Sequence, residues 1–123
     1  MKKFFRILIP VVIVFLYYIY YKNKEITYYV SSNEMPIIKY TNEIGDEDIG
    51  IVPQPKFGKY IWERKVHFDS KVNRIKLNVM FGNDTVECNA QINSGNVIVA
   101  EKTIIDTGRL FSIPQIILEY NVP

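Results

Sequence analysis

One uninterrupted apolar run near the N-terminus constrains this chain more than any other feature of its sequence. The run extends from Ile7 to Tyr21 and reads ILIPVVIVFLYYIYY. At about 1.5 Å per residue, a helix that also includes residues 4–6 measures roughly 27 Å, close to the hydrocarbon thickness of a bilayer. Pro10 lies near the start of this helix, where it removes a single backbone hydrogen bond. The run therefore predicts one transmembrane helix.

The charges that flank the run predict its orientation. Lys2, Lys3 and Arg6 precede it, whereas Lys22 and Lys24 follow it and are partly offset by an adjacent glutamate. Basic residues stay on the cytoplasmic side of a membrane helix. We therefore expect a cytoplasmic tail and signal-anchor helix over residues 1–24 of a protein of the inner (cytoplasmic) membrane. Residues 25–123 would then form a periplasmic or extracellular domain.

A cleaved signal peptide is the alternative reading of the same segment, because it also begins with basic residues and a short apolar core. Cleavage needs small residues directly after that core. Tyr17 to Lys22 occupies this place with bulky side chains. The sequence favours an uncleaved anchor and leaves cleavage open.

The remaining residues have the composition of one small, nearly neutral domain. Three of the fifteen Lys and Arg residues precede the apolar run, so about twelve face thirteen Asp and Glu residues. A nucleic-acid-binding domain needs a strongly basic face, which this balance argues against. Cys88 is the single cysteine, so no internal disulfide can form. Its place in an alternating pattern predicts a small buried residue.

Alternating apolar and polar residues, separated by turn signals, predict a mainly β domain after the anchor. Such short strands favour an antiparallel β-sandwich or a barrel-like fold, and the sequence does not decide between them. The polar stretch Thr41 to Gly50 predicts a loop, followed by a brief pairing of Ile51 and Val52. The other strands are predicted near residues 26–30, 37–40, 58–68, 72–81, 85–92, 97–105, 110–113 and 116–120.

The clearest alternation predicts a hairpin in the middle of the domain. Ile75, Leu77, Val79 and Phe81 alternate with polar or flexible residues, and the same pattern returns with apolar residues at 86, 88, 90 and 92. Gly82-Asn83-Asp84 is a turn sequence between the two runs. We therefore expect these two strands to pair with each other.

Several motifs suggest chemistry, but each has a simpler structural explanation. Asp106-Thr107-Gly108 resembles an aspartic-protease motif, yet no second such motif exists and too few residues follow it to build a lobe. The acidic run Asp46 to Asp48, with Glu43 nearby, lacks the spacing of an EF-hand. His67 is the only histidine and has no partner at zinc-ligand spacing. We expect no enzymatic activity, no metal, no cofactor and no small-molecule substrate.

A basic and aromatic stretch is the best candidate for an interaction site. Residues 56–76 contain seven Lys and Arg residues and two acidic residues, whereas every charged residue of segment 42–48 is acidic. Trp, Tyr and Arg commonly anchor protein interfaces. The predicted partner-binding residues are Lys59, Tyr60, Trp62, Arg64 and Lys65. The alternatives are a solvated strand whose lysines protect a sheet edge and a surface that docks on anionic headgroups.

Together these features predict a single-pass membrane protein whose β-domain binds another protein. The preferred version is an inhibitor or immunity-type protein that captures a toxin or enzyme at the membrane. Tethering would raise its effective concentration where such a partner arrives. The alternative is a structural or accessory subunit of a cell-envelope complex, such as secretion, conjugation or division machinery.

Overall fold

Eight β-strands make up most of the described part of the protein. The computed structural model describes residues 9–17, 25–82, 86–105 and 114–122. One helix, α1, covers residues 9–17. The strands are β1 (Glu25–Ser32), β2 (Ile37–Thr41), β3 (Glu47–Gly50), β4 (Tyr60–His67), β5 (Arg74–Met80), β6 (Glu87–Ser94), β7 (Val97–Ile105) and β8 (Gln115–Asn121).

The strands form two four-stranded sheets, and every neighbouring pair is antiparallel. The first sheet has the order β4-β1-β6-β7, and the second has the order β3-β2-β5-β8. Each sheet therefore has two edge strands and does not close on itself. The predicted mainly β, antiparallel class is confirmed, and the domain is sandwich-like.

The core lies between the two sheets and follows the alternation of the sequence. Inward-facing residues of β1, β5 and β6 are almost completely buried, whereas their neighbours along each strand face outward. Cys88 is one of the buried residues, as predicted. The most deeply buried large side chains are Ile26, Tyr28, Val30, Ile38, Val66, Ile75, Leu77, Val79, Val86, Ile92 and Ile116.

The predicted hairpin between β5 and β6 is wrong. β5 pairs with β2 and β8 in the second sheet, whereas β6 pairs with β1 and β7 in the first. Phe81 and Val86 are both buried at the ends of the connection between them. Alternation specifies which side chains face the core, and a strand of either sheet can satisfy it. The chain therefore crosses between the sheets where the sequence indicated a turn within one.

The predicted loop from Thr41 to Gly50 is wrong in its second half, because β3 occupies residues 47–50. A tight turn precedes this strand: the Asn42 amide donates to the Asp46 carbonyl at 2.8 Å. Gly45 adopts φ 91°, which its lack of a side chain allows. Ile51 and Val52, predicted to pair, lie outside any strand. Backbone pairing with β2 outweighed the low strand propensity of this acidic segment.

Helix α1 is apolar, and its side chains are exposed, from 44% at Val12 to 69% at Tyr17. In the described part of the chain, no helix combines the length and the apolarity needed to cross a bilayer. The rest of the predicted span, residues 7–8 and 18–21, lies outside the described residues. The membrane helix therefore stays a prediction. The predicted strand 110–113 and the turn at Asp106 also lie outside the described residues.

The sandwich has two distinct ends, which the register of β1 and β4 defines. At the near end, where β1 begins, Glu25 lies opposite His67; at the far end, Ser32 lies opposite Tyr60. The loops 42–46 and 68–73 meet at the near end, where the Asp69 amide donates to the Glu43 carbonyl at 3.0 Å. Residues 51–59, which join β3 to β4, lie at the far end.

Candidate functional site

The five predicted partner-binding residues lie on or next to β4, an edge strand of the first sheet. Trp62 is buried at 5% exposure, and Tyr60 is half-buried. Lys59, Arg64 and Lys65 are exposed. About 3.3 Å separates successive residues of a strand, so roughly 20 Å separates Lys59 from Lys65. The structure therefore brings the five residues to one strand without placing them on one continuous surface.

The two cations in the second half of β4 have acidic neighbours from the domain itself. Lys65 Nζ lies 3.2 Å from Glu25 Oε1, and Arg64 Nη2 lies 4.0 Å from Glu43 Oε1. His67 Nε2 lies 3.5 Å from the other Glu25 oxygen. Such exposed pairs contribute little to stability. They do neutralise part of the basic stretch near the end where β1 begins.

Trp62 belongs to an aromatic cluster that fills the gap between the sheets at the β3–β4 edge. Its ring centroid lies 5.3 Å from that of Tyr40 and 6.4 Å from that of Tyr28. The backbone of Gly50 in β3 covers the indole so closely that a Cβ there would lie 2.8 Å from Trp62 Cε2. Trp62 thus joins the two edge strands from inside.

The phenol of Tyr28 completes this cluster with a polar contact. Its hydroxyl donates to the Thr41 carbonyl oxygen at 2.8 Å. Burial, together with the neighbouring Tyr40, raises the pKa of Tyr28 well above its ordinary value. The phenol therefore stays neutral at physiological pH and acts as a hydrogen-bond donor that fixes the end of β2 to the first sheet.

A cleft of about 520 Å³ opens on the same edge of the sandwich. Tyr40, Gly50 and Trp62 lie on its inner side, and Ile51 and Ile61 contribute apolar surface. Asp48, Glu63 and Arg64 are its charged lining residues. The cleft therefore combines apolar surface with charges of both signs.

Residues 49–61, which we call the edge segment, carry four large exposed apolar side chains. Ile49 is 66% exposed, Ile51 90%, Phe57 106% and Ile61 44%. A single exposed apolar side chain is ordinary, but a cluster of large ones commonly marks a binding surface. The edge segment is therefore the best candidate interaction surface among the described residues.

A two-residue turn forms the tip of the edge segment. The Lys56 amide donates to the Lys59 carbonyl at 2.9 Å, and the Lys59 amide donates to the Lys56 carbonyl at 3.0 Å. Phe57 and Gly58 both have positive φ, at 53° and 75°. Positive φ at both central residues defines the type I′ turn, which favours Asn-Gly. Phe57 therefore occupies a position that rarely holds a bulky side chain.

Among the described residues, the candidates for catalysis or metal binding are Cys88, His67 and the acidic run. Burial raises the pKa of the Cys88 thiol to about 12, so the thiol is protonated and a poor nucleophile at neutral pH. Glu47 of the acidic run lies 3.6 Å from Lys39 Nζ. Among the described residues, no group of three His, Cys, Asp or Glu side chains is placed to hold a metal ion. Asp106 of the protease-like motif lies outside the described residues.

Phe57 was not among the predicted binding residues, although it lies within the basic and aromatic stretch. Periodicity predicts burial along strands and carries no information about a side chain in a turn. The local signal was Phe-Gly between two lysines, just after Pro55.

No family model, no curated protein and no solved structure matches this chain. The candidate site therefore rests on the geometry and chemistry of these residues.

Proposed function

We propose that this protein is a membrane-anchored domain that binds another protein through the edge segment. The observation that carries the proposal is the exposure of Ile49, Ile51, Phe57 and Ile61 on one edge of the sandwich. Exposing such surface to water is unfavourable, at about 25 cal/mol per Å². A partner that covers these side chains would recover that free energy on binding.

The membrane part of the proposal rests on the apolar run that contains α1. The residues of α1 from Ile9 to Leu16 are all apolar and exposed. A helix that is apolar on all faces needs an apolar environment, which a bilayer provides. Basic residues before the run favour a cytoplasmic N-terminus and a β-domain on the periplasmic or outer side.

The specific version that we favour is an inhibitor or immunity-type protein, which acts by covering a surface of a toxin or enzyme. Lys59 lies within the edge segment, and Arg64 lines the adjoining cleft. These two cations favour an acidic partner, whereas Trp62 supports the surface from inside. Tethering would concentrate the inhibitor at the bilayer that its partner must reach or cross.

The test is crosslinking in the native cell, with an affinity tag after Pro123 and mass spectrometry of the captured proteins. We expect one dominant soluble partner in near-equal amount. A matched variant, in which residues 7–21 are replaced by an unrelated membrane helix, should capture the same partner. Several membrane proteins that disappear when the anchor is exchanged would instead indicate a structural subunit of an envelope complex. That result would contradict the inhibitor proposal.

A further inference from the structure

The tip of the edge segment holds an aromatic residue where the backbone disfavours one. Among the described residues, Phe57 is the only non-glycine residue with positive φ. Its Cβ crowds the backbone in this left-handed conformation, which Asn and Gly accept more readily. Phe57 therefore destabilises this turn relative to Asn or Gly at the same position.

Among the described residues, no packing contact of the Phe57 side chain compensates for this cost. The Phe57 side chain is fully exposed, at 106%, so it packs against no part of the sandwich. The turn itself is closed by the backbones of Lys56 and Lys59 and needs no aromatic ring. Strained residues without a structural reason are commonly part of a functional site. The turn thus holds a phenyl ring away from the domain surface.

The charges around the ring restrict what it can bind. Residues 51–59 contain two lysines and no acid. Lys59 also lines a small cavity of about 210 Å³ together with Glu87. Lys56 is exposed next to the ring. We propose that Phe57 is the anchor that inserts into an apolar pocket with an acidic rim on the partner protein, an inference that rests on the proposed function.

The position of the tip favours a protein over the membrane as its target. β1 begins at the near end, and the tip lies beyond its far end, because Ser32 pairs with Tyr60. Eight strand residues span roughly 25 Å. If α1 anchors the chain just before β1, the tip points away from that bilayer. An aromatic residue flanked by lysines would otherwise also suit a membrane interface.

The informative substitution is Phe57→Asn, because it separates binding from folding. Asn is favoured in a type I′ turn, so the variant keeps the turn and loses the ring. The matched control is Ile44→Asn, which removes another exposed apolar residue, from the near end. We expect Phe57→Asn to reduce recovery of the tag-captured partner at least ~10-fold, as for an interface hot spot. Ile44→Asn should leave recovery within about twofold of the parent protein.

Photo-crosslinking of the full chain in cells identifies what the tip contacts. The probe is p-benzoyl-phenylalanine at position 57, compared with the same probe at Asn96. Asn96 lies in the exposed turn between β6 and β7 at the opposite end of the first sheet. We expect a protein adduct from position 57 that is identical to the tag-captured partner. Charge reversal by Lys56→Glu should reduce this adduct severalfold.

The other outcomes would overturn the inference. Lipid adducts from position 57 would show that the tip contacts a membrane. Equal protein adducts from positions 57 and 96 would show an unspecific encounter. Undiminished recovery of the partner by Phe57→Asn would place binding on another surface and leave the proposed function intact. If tag capture itself recovered no dominant partner, both the inference and the proposed function would fail.

Discussion

Two aromatic residues on the same edge of the sandwich differ completely in their surroundings. Trp62 is 5% exposed, stacked between the backbone of Gly50 and the rings of the aromatic cluster. Phe57, five positions earlier, is fully exposed in a turn. Their residue type does not explain the difference. A strand position facing the core buries its side chain, whereas a left-handed turn position directs its side chain away from the sheets.

The interior Trp62 and the exposed Phe57 therefore have separable roles. Trp62 contributes to the stability of the edge on which the tip is mounted. Phe57 contributes nothing to that stability, and its conformation opposes it. A substitution at Trp62 should therefore mainly reduce the stability of the domain, whereas a substitution at Phe57 should mainly reduce partner binding.

The largest expected effect is that of Trp62→Ala. Removing a buried indole loses its transfer free energy and leaves a cavity between the sheets, at a cost of about 3–5 kcal/mol in the free energy of unfolding. Urea denaturation, followed by circular dichroism, measures this loss. The control Phe57→Ala should change the free energy of unfolding by less than about 0.5 kcal/mol. Equal losses of unfolding free energy in both variants would contradict the separate roles of Trp62 and Phe57.

The next largest effect is expected for Gly50→Ala, because its new Cβ would lie 2.8 Å from Trp62 Cε2 and 3.0 Å from Trp62 Nε1. The rigid indole must shift, so we expect a loss of about 1–3 kcal/mol. Gly82→Ala is the control, since a Cβ added there would have no atom within 4 Å beyond its chain neighbours. Gly50→Ala should cost much less in a Trp62→Ala background, and additive losses would show that the two residues do not interact.

Tyr28→Phe should cost about 1 kcal/mol at neutral pH, because the part-buried hydrogen bond to the Thr41 carbonyl is lost. Tyr29→Phe, on the outward-facing side of β1, is the control. The raised pKa of Tyr28 adds a pH signature. The neutral phenol contributes fully below the unfolded-state pKa of about 10, and this stability is lost as the pH rises further. The alkaline loss should be smaller in Tyr28→Phe than in the parent protein.

The smallest expected effect has the opposite sign. Phe57→Asn should raise the free energy of unfolding by about 0.5–1 kcal/mol, since Asn fits the turn better than Phe. The midpoint of thermal unfolding should rise accordingly. A decrease would mean that the phenyl ring stabilises the domain, which would remove the reason to assign it to a partner.

Much of the fold could be predicted from local patterns. Alternation identified the core-facing residues of β5 and β6, including Cys88, because the two-residue period of a strand assigns each side chain to a face. The strands predicted near residues 85–92 and 97–105 are confirmed as β6 and β7. The candidate site was predicted only in part. The basic and aromatic stretch was located, but Trp62 is interior, and the exposure of Phe57 depends on a turn that periodicity does not describe.

By itself, the sequence determined the antiparallel β class, the inward faces of β5 and β6 and the approximate bounds of most strands. These follow from local geometry and hydrophobic burial, which act over a few residues. Only the tertiary structure decided that β5 and β6 belong to different sheets, that β3 forms in an acidic segment and that the cleft lies at the β3–β4 edge. Those outcomes depend on which distant backbones pair, and an inward-facing residue is equally satisfied by either sheet.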